Sequence, residues 1–203
     1  MDRHTEVELK WGLDAAAYAL LAQRLESLLG PARVLAQDNR FFDTADHRLR
    51  TKRMNLRLRR ENERLLLTCK RRERSEGEAH RHAEWEEWLD PTLWERIGSG
   101  DVRSLIPLPD EVVAVIGEAP LIDNGGFANL RREHRHQDEL LCLDRTDFGV
   151  RVDHELEIET SDPDASACTW GVRLKEWRIG FQRRSETKFA RFVALESQRP
   201  GMA

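Results

Sequence analysis

Charged and apolar positions alternate residue by residue in several short stretches of this chain. In Thr5-Glu6-Val7-Glu8-Leu9-Lys10-Trp11, the apolar Val7, Leu9 and Trp11 stand out of phase with Glu6, Glu8 and Lys10. A period of two sends successive side chains to opposite faces of a β-strand, so this strand has one apolar face and one fully charged face. The alternation recurs in Asn55-Leu56-Arg57-Leu58-Arg59, in Glu84-Trp85-Glu86 and in Glu155-Leu156-Glu157-Ile158-Glu159. Further strands are predicted over 39–43, 64–70, 129–136 and 139–144. Helices are predicted over 14–29, ahead of a Gly30-Pro31 stop, over 91–97 and 109–117, and over 165–179, where Trp170, Leu174 and Trp177 share a face. A last helix is predicted from a Ser185 cap through Leu195. Strands with antiparallel-style alternation interspersed with helices define the α+β class. With no repeat and no linker-like stretch, residues 1–203 read as one domain ending in a frayed tail at 196–203.

The charged faces are segregated by sign. Glu155, Glu157 and Glu159 are all acidic, whereas Arg57 and Arg59 are basic. On an open sheet such faces would meet water, but like charges directly opposed cost stability. Closing the sheet with its charged faces inward would instead set acidic strands across from basic ones. The apolar faces would then point outward, to be covered by the helices. Composition is consistent with a polar interior, since 34% of residues are charged where about 25% is usual. Six tryptophans and seven phenylalanines exclude disorder, and a net charge of −4 excludes a dedicated nucleic-acid binder. The charged Met1–Lys10 segment has no signal-peptide core, no apolar run could span a membrane, and the three cysteines form no CxxC pair. The expectation is a cytoplasmic protein with reduced thiols.

Inward-facing charges of both signs suit one class of ligand. Clustered arginines and lysines recognise phosphate oxygens, and clustered carboxylates hold Mg²⁺ or Mn²⁺, which bridge phosphate groups. A lumen carrying both is a metal–polyphosphate site. Phosphoryl transfer asks mainly for positioning and charge neutralisation, so no dedicated nucleophile is required.

These residues resemble the CYTH family, the triphosphate tunnel metalloenzymes. Glu6-Val7-Glu8-Leu9-Lys10 is similar to its N-terminal ExExK strand, Phe41-Phe42-Asp43-Thr44 to its YFDT segment, and Leu56-Arg57-Leu58-Arg59 to its LRxR strand. Lys70, Glu84 and Glu86, Arg131, Asp144, Glu155-Leu156-Glu157 and Lys188 follow in the family's order. The resemblance implies a closed eight-stranded antiparallel barrel, a tunnel with a charged interior, and helices packed outside. It implies a hydrolase acting on the terminal phosphate of inorganic, thiamine or nucleoside triphosphate with one or two Mg²⁺ or Mn²⁺ ions. It further implies Glu6, Glu8, Asp144, Glu155 and Glu157 as metal ligands, and Lys10, Arg57, Arg59, Lys70, Arg131 and Lys188 as the triphosphate-binding set. Catalysis would rest on Glu6, Glu8, Lys10, Glu155 and Glu157. Glu84, Glu86 and Glu159 stand between metal binding and charge balance.

Two other functions share this pattern, a class IV-like adenylyl cyclase and a non-catalytic module binding polyphosphate or RNA 5′ ends. The cyclases carry a His-Phe pair ahead of ExExK, and Met1–Thr5 contains His4 but no such pair. The resemblance implies a small-molecule triphosphate as partner, with neither membrane nor DNA expected and the cyclase and RNA 5′-end readings left open. His80-x-His82 and His134-x-His136 lie in charged stretches and read as surface residues. Arg71, Arg72 and Arg74 read as a solvated loop, Cys69 as a buried small apolar residue, and Trp85, Trp88, Trp170 and Trp177 as packing outside the sheet.

Overall fold

The computed structural model describes residues 2–73, 79–97 and 101–198. Its strands are β1 (Asp2–Leu13), β2 (Arg33–Asp43), β3 (Met54–Glu61), β4 (Arg64–Arg72), β5 (His80–Leu89), β6 (Ile122–His136), β7 (Glu139–Asp147), β8 (Val152–Glu159) and the two-residue β9 (Gln182–Arg183). The helices are α1 (Ala15–Leu29), α2 (Arg48–Thr51), α3 (Leu93–Arg96), α4 (Asp110–Ile116), α5 (Pro163–Glu176) and α6 (Lys188–Glu196). The strands hydrogen-bond in the order β5-β4-β3-β2-β6-β7-β8-β1, and β1 also pairs with β5. That last pairing closes an eight-stranded antiparallel barrel. β1 gives Asp2–Glu8 to β5 and Glu8–Leu13 to β8, while β9 takes over beside Trp11 and Gly12 where β5 has ended.

Closure disposes of the alternation as the charge pattern requires. Outward residues of β3, β4 and β5, including Leu56, Leu58, Leu67, Cys69 and Trp85, pack under the helical segment that contains Trp94, Val112 and Ile116. Leu9 and Trp11 of β1, Leu141, Leu143, Leu156 and Ile158 pack under α1 and α5 through Leu21, Leu25, Trp170 and Leu174. Asp14 caps α1 by accepting from the Ala17 amide at 2.7 Å, and Gly30 ends it with a φ of +87° that side chains rarely adopt. Where β2 and β6 shift register between Arg40 and Phe42, a Cβ on Gly126 would stand 1.6 Å from the Asn39 carbonyl oxygen. Only glycine allows that backbone approach.

Several elements depart from the sequence expectation. α2 was not foreseen, because four residues give no periodicity. Asp43 builds it by accepting from the amides of Leu49 at 2.9 Å and Arg50 at 3.0 Å. α6 starts at Lys188 behind a Thr187 cap, whose hydroxyl accepts from the Ala190 amide at 3.1 Å, and not at Ser185. Glu196, assigned to the frayed tail, still belongs to α6, and residues 199–203 of that tail lie outside the described residues. Arg71 and Arg72 extend β4 and are not part of a loop, while Arg74 lies outside the described residues. Cys69, Trp85 and Trp170 are buried in the outer layer as expected, but Trp88 is 46% exposed, with the Arg64 guanidinium 3.5 Å from its ring centre.

Candidate active site

The inward positions of the strands enclose a cavity of about 160 Å³. Glu6, Glu8, Lys10, Arg57, Arg59, Lys70, Glu84, Glu86, Arg131, Glu157, Glu159 and Lys188 all line it. At one end α6 closes on it through aromatic packing, with Phe41 ring centres 4.7 Å from Phe189 and 5.7 Å from Phe192. Phe41, standing where the family's YFDT segment has tyrosine, thus lines the cavity and packs on α6.

The acidic residues divide into two groups. Asp144 and Glu155 are cross-strand partners on β7 and β8, with Glu157 two residues further along β8. One carboxylate oxygen from each of the three lies within 4.8 Å of the others, and all three residues are buried. Lys188 Nζ sits among them, 2.8 Å from Asp144 Oδ2 and 2.9 Å from Glu157 Oε1, and also pairs with Glu155. Arg131 grips Asp144 with two bonds of 2.9 and 2.7 Å and reaches Glu157 Oε2 at 2.6 Å. Burial alone would raise the Asp144 and Glu157 pKa values, but these cations overcome it and hold both below the usual carboxylate range. Lys10 Nζ links this group to the next, lying 2.7 Å from Glu157 Oε1 and 2.8 Å from Glu8 Oε1. Glu6 stands further off and is bound by Lys70 Nζ at 2.5 Å, a lysine it shares with Glu84 at 3.0 Å.

The basic residues divide as well. Lys10, Lys70, Arg131 and Lys188 are each held by carboxylates. Arg57 has no carboxylate within ion-pair distance among the described residues; its Nη2 donates to Thr68 Oγ1 at 3.3 Å, and its Nε has no partner. Arg59 donates to Asn39 Oδ1 at 3.2 Å and comes no nearer than 3.9 Å to Glu61. Burial, with Arg59 alongside, lowers the Arg57 pKa to about 9. Across the lumen, burial and the neighbouring Glu6 carboxylate push Glu159 up to about 7. A carboxyl with that value carries a proton about half the time near neutrality.

Other residues around the site lie outside the alternating charge pattern of the strands. Asn129 donates to Asp144 Oδ1 and to Gln37 Oε1, both at 2.9 Å, and accepts from Thr146 Oγ1 at 2.8 Å. Arg191, one turn after Lys188 on α6, donates to Glu155 Oε2 at 2.7 Å. The histidines assigned to the surface require correction. His80, His82 and His134 are all buried, and His82 lines the cavity beside Glu8. Its strand parity with Glu84 and Glu86 was the available signal, hidden by the charged sequence around it.

A closed antiparallel barrel with a charged lumen defines the class, and the chain matches the CYTH domain family over residues 4–193. It belongs to that family. Among solved structures it is similar to HpAC1 from Hippeastrum, a candidate adenylyl cyclase with a dominant triphosphatase activity, at 30% identity and a TM-score of 0.85, over 93% of this chain and 95% of that one. It is also similar to a candidate adenylate cyclase from Bacillus halodurans, at 23% identity and a TM-score of 0.74, over 95% and 99% of the two chains. The fold is shared with PH1819 from Pyrococcus horikoshii OT3, at 16% identity and a TM-score of 0.59, over 95% and 99%. No curated protein sequence matches significantly. No helix among the described residues is long and apolar enough to cross a membrane.

Proposed function

We propose that the chain is a divalent-metal-dependent triphosphatase that removes the terminal phosphate of a small triphosphate inside the barrel. The observation that carries this reading is the pair Arg57 and Arg59, half-buried guanidinium groups lining the lumen, of which Arg57 has no carboxylate within ion-pair distance among the described residues and Arg59 has only Glu61 at 3.9 Å. Uncompensated buried cations are costly unless an anion completes them. A triphosphate does so, and HpAC1, with its triphosphatase activity, supports hydrolysis as the outcome.

A carboxylate cluster that meets the cavity at Glu157, with Asp144 and Glu155 behind its lining, fits a divalent cation. Asp144, Glu155 and Glu157 form a buried all-oxygen donor set within 4.8 Å, with Glu8 joined to it through Lys10. Such hard oxygen donors suit Mg²⁺ or Mn²⁺. A bound ion of this kind would polarise the phosphoryl oxygens and acidify a water. Asp144, Glu155 and Glu157 are the residues that would hold one such ion, with Glu8 and Glu6 the carboxylates for a second. Arg57, Arg59, Lys10, Lys70, Arg131 and Lys188 bind and neutralise the phosphate chain, keeping its terminal phosphorus in line with the water. Glu159, with a pKa of about 7, is suited to take the proton from that water on its carboxylate and return it to solvent. Glu84 and Glu86 balance the basic wall.

The test is product analysis with tripolyphosphate, thiamine triphosphate and ATP, each with Mg²⁺ or Mn²⁺. Release of orthophosphate with a diphosphate product is the expected result. Cyclic AMP with pyrophosphate, or binding without turnover, would overturn it.

A further inference from the structure

His82 is 4% exposed, and among the described residues neither of its ring nitrogens has a hydrogen-bond partner. It projects from β5 into the cavity, opposite Glu6 in the β1–β5 register. Its Nε2 stands 3.4 Å from Glu8 Oε1, without the alignment of a hydrogen bond. Its neighbour His80 is placed differently, with its Nε2 against the Arg184 carbonyl oxygen at 3.1 Å. A neutral imidazole always has one nitrogen lone pair to offer. Buried with only the poorly aligned Glu8 carboxylate beside Nε2 and Nδ1 unpaired among the described residues, the ring is under-satisfied in the metal-free fold.

We propose that His82 is a nitrogen ligand to the cation held by Glu8, making this end of the tunnel selective for borderline transition ions such as Mn²⁺ and Co²⁺ over Mg²⁺. This rests on the reading of Glu8 as a metal-binding carboxylate. Imidazole suits first-row transition ions, whereas Mg²⁺ takes oxygen donors and keeps its waters. A mixed nitrogen and carboxylate site therefore ranks these ions differently from an all-carboxylate one. A ring 3.4 Å from the Glu8 oxygen is close enough to share one ion with it, since metal–nitrogen and metal–oxygen bonds are each about 2 Å.

The experiment uses the metal-stripped full chain, titrated calorimetrically with Co²⁺, Mn²⁺ and Mg²⁺ as wild type, His82→Asn and His82→Leu. The Mn²⁺-loaded proteins are also measured for ¹⁴N coupling by pulsed electron paramagnetic resonance. We expect Co²⁺ affinity to fall about tenfold or more in both variants, at least the loss seen when a residue that merely orients a ligand is removed. Mg²⁺ affinity should change by no more than about twofold, and the wild-type ¹⁴N coupling should vanish in the variants. Should the variants misfold, the wild-type spectrum decides alone, and absence of ¹⁴N coupling overturns the proposal. If wild type and variants bind Co²⁺ equally, the proposal fails while the Glu8 site stands. If wild type binds no divalent ion, both fail.

Discussion

Lys188 Nζ lies 2.8 Å from Asp144 Oδ2, in the middle of the buried carboxylate group that also holds Glu155 and Glu157. The ammonium at the start of α6 thus occupies the kind of position a divalent cation would take, and ties α6 to the barrel interior. Replacing it with methionine leaves buried carboxylates short of one counter-charge. Removing one partner of a buried ion pair costs about 3 kcal/mol or more, a fall in Tm of about 6–12 °C for a chain of this size. Thermal denaturation of Lys188→Met in chelator should show that fall, and saturating Mn²⁺ should recover at least half of it. A variant as stable as wild type in chelator would mean that Arg131, Lys10 and Arg191 neutralise the group by themselves.

Glu8→Gln should separate catalysis from folding. Glu8 is buried, and Lys10 holds its carboxyl well below the usual range against the opposing effect of burial. Lys10 keeps a second carboxylate, Glu157, at 2.7 Å, so the amide leaves no orphaned ammonium. We expect kcat to drop about a hundredfold or more, beyond what loss of an outer-shell partner costs, with Tm within a few degrees of wild type. Near-normal turnover in saturating Mg²⁺ would remove Glu8 from the metal site.

Replacing Arg57 and Arg59 together with methionine should have no cost in the ligand-free protein. Both guanidinium groups are half-buried, and desolvation is the first cause that lowers the pKa of each, with the Arg59 charge next at Arg57 and the Arg131 charge next at Arg59. Their removal relieves an uncompensated charge, so Tm should stay level or rise. Binding stabilises a fold by mass action, about 2.7 kcal/mol at a hundredfold excess over Kd. A slowly hydrolysed triphosphate analogue with metal should raise the wild-type Tm and leave the double variant nearly unmoved. Equal rises in the two proteins would place these arginines outside the phosphate site.

Glu159 makes the stability of the metal-free protein depend on pH. Its folded pKa of about 7 lies above the usual 4.5, so the folded state holds the proton more tightly than the unfolded chain. Its contribution is complete below about pH 4.5 and is lost as pH rises through 7. Denaturation in chelator should show a decline from pH 5 to pH 8 to which Glu159 contributes on the order of 2 kcal/mol, so Glu159→Gln should make it shallower by about that amount without abolishing it. An unchanged slope in the variant would assign the decline to other carboxyls, with Glu84, raised to about 8, the next to replace.

Much of this architecture was legible in the sequence because a strand's two faces are written in its alternation. Val7, Leu9 and Trp11 against Glu6, Glu8 and Lys10 determined which side of β1 met helices and which met the lumen. The segregation of sign, acidic on β8 and basic on β3, required closure, since an open sheet would waste both faces on water. Alternation reports parity and nothing about register, however, and register decides which charges meet. Only pairing in three dimensions set Asp144 beside Glu155, gave Lys10 to Glu8 and Glu157 together, and left Arg57 without a carboxylate at ion-pair distance among the described residues. Lys188 and Arg191 come from a helix, whose approach to the barrel depends on the aromatic packing of Phe189 and Phe192 on Phe41. His82 reads as a surface residue in the sequence for a related reason. Neighbours in sequence that are charged ordinarily mark a solvated surface, but in a barrel turned inside out the charged face is the buried one.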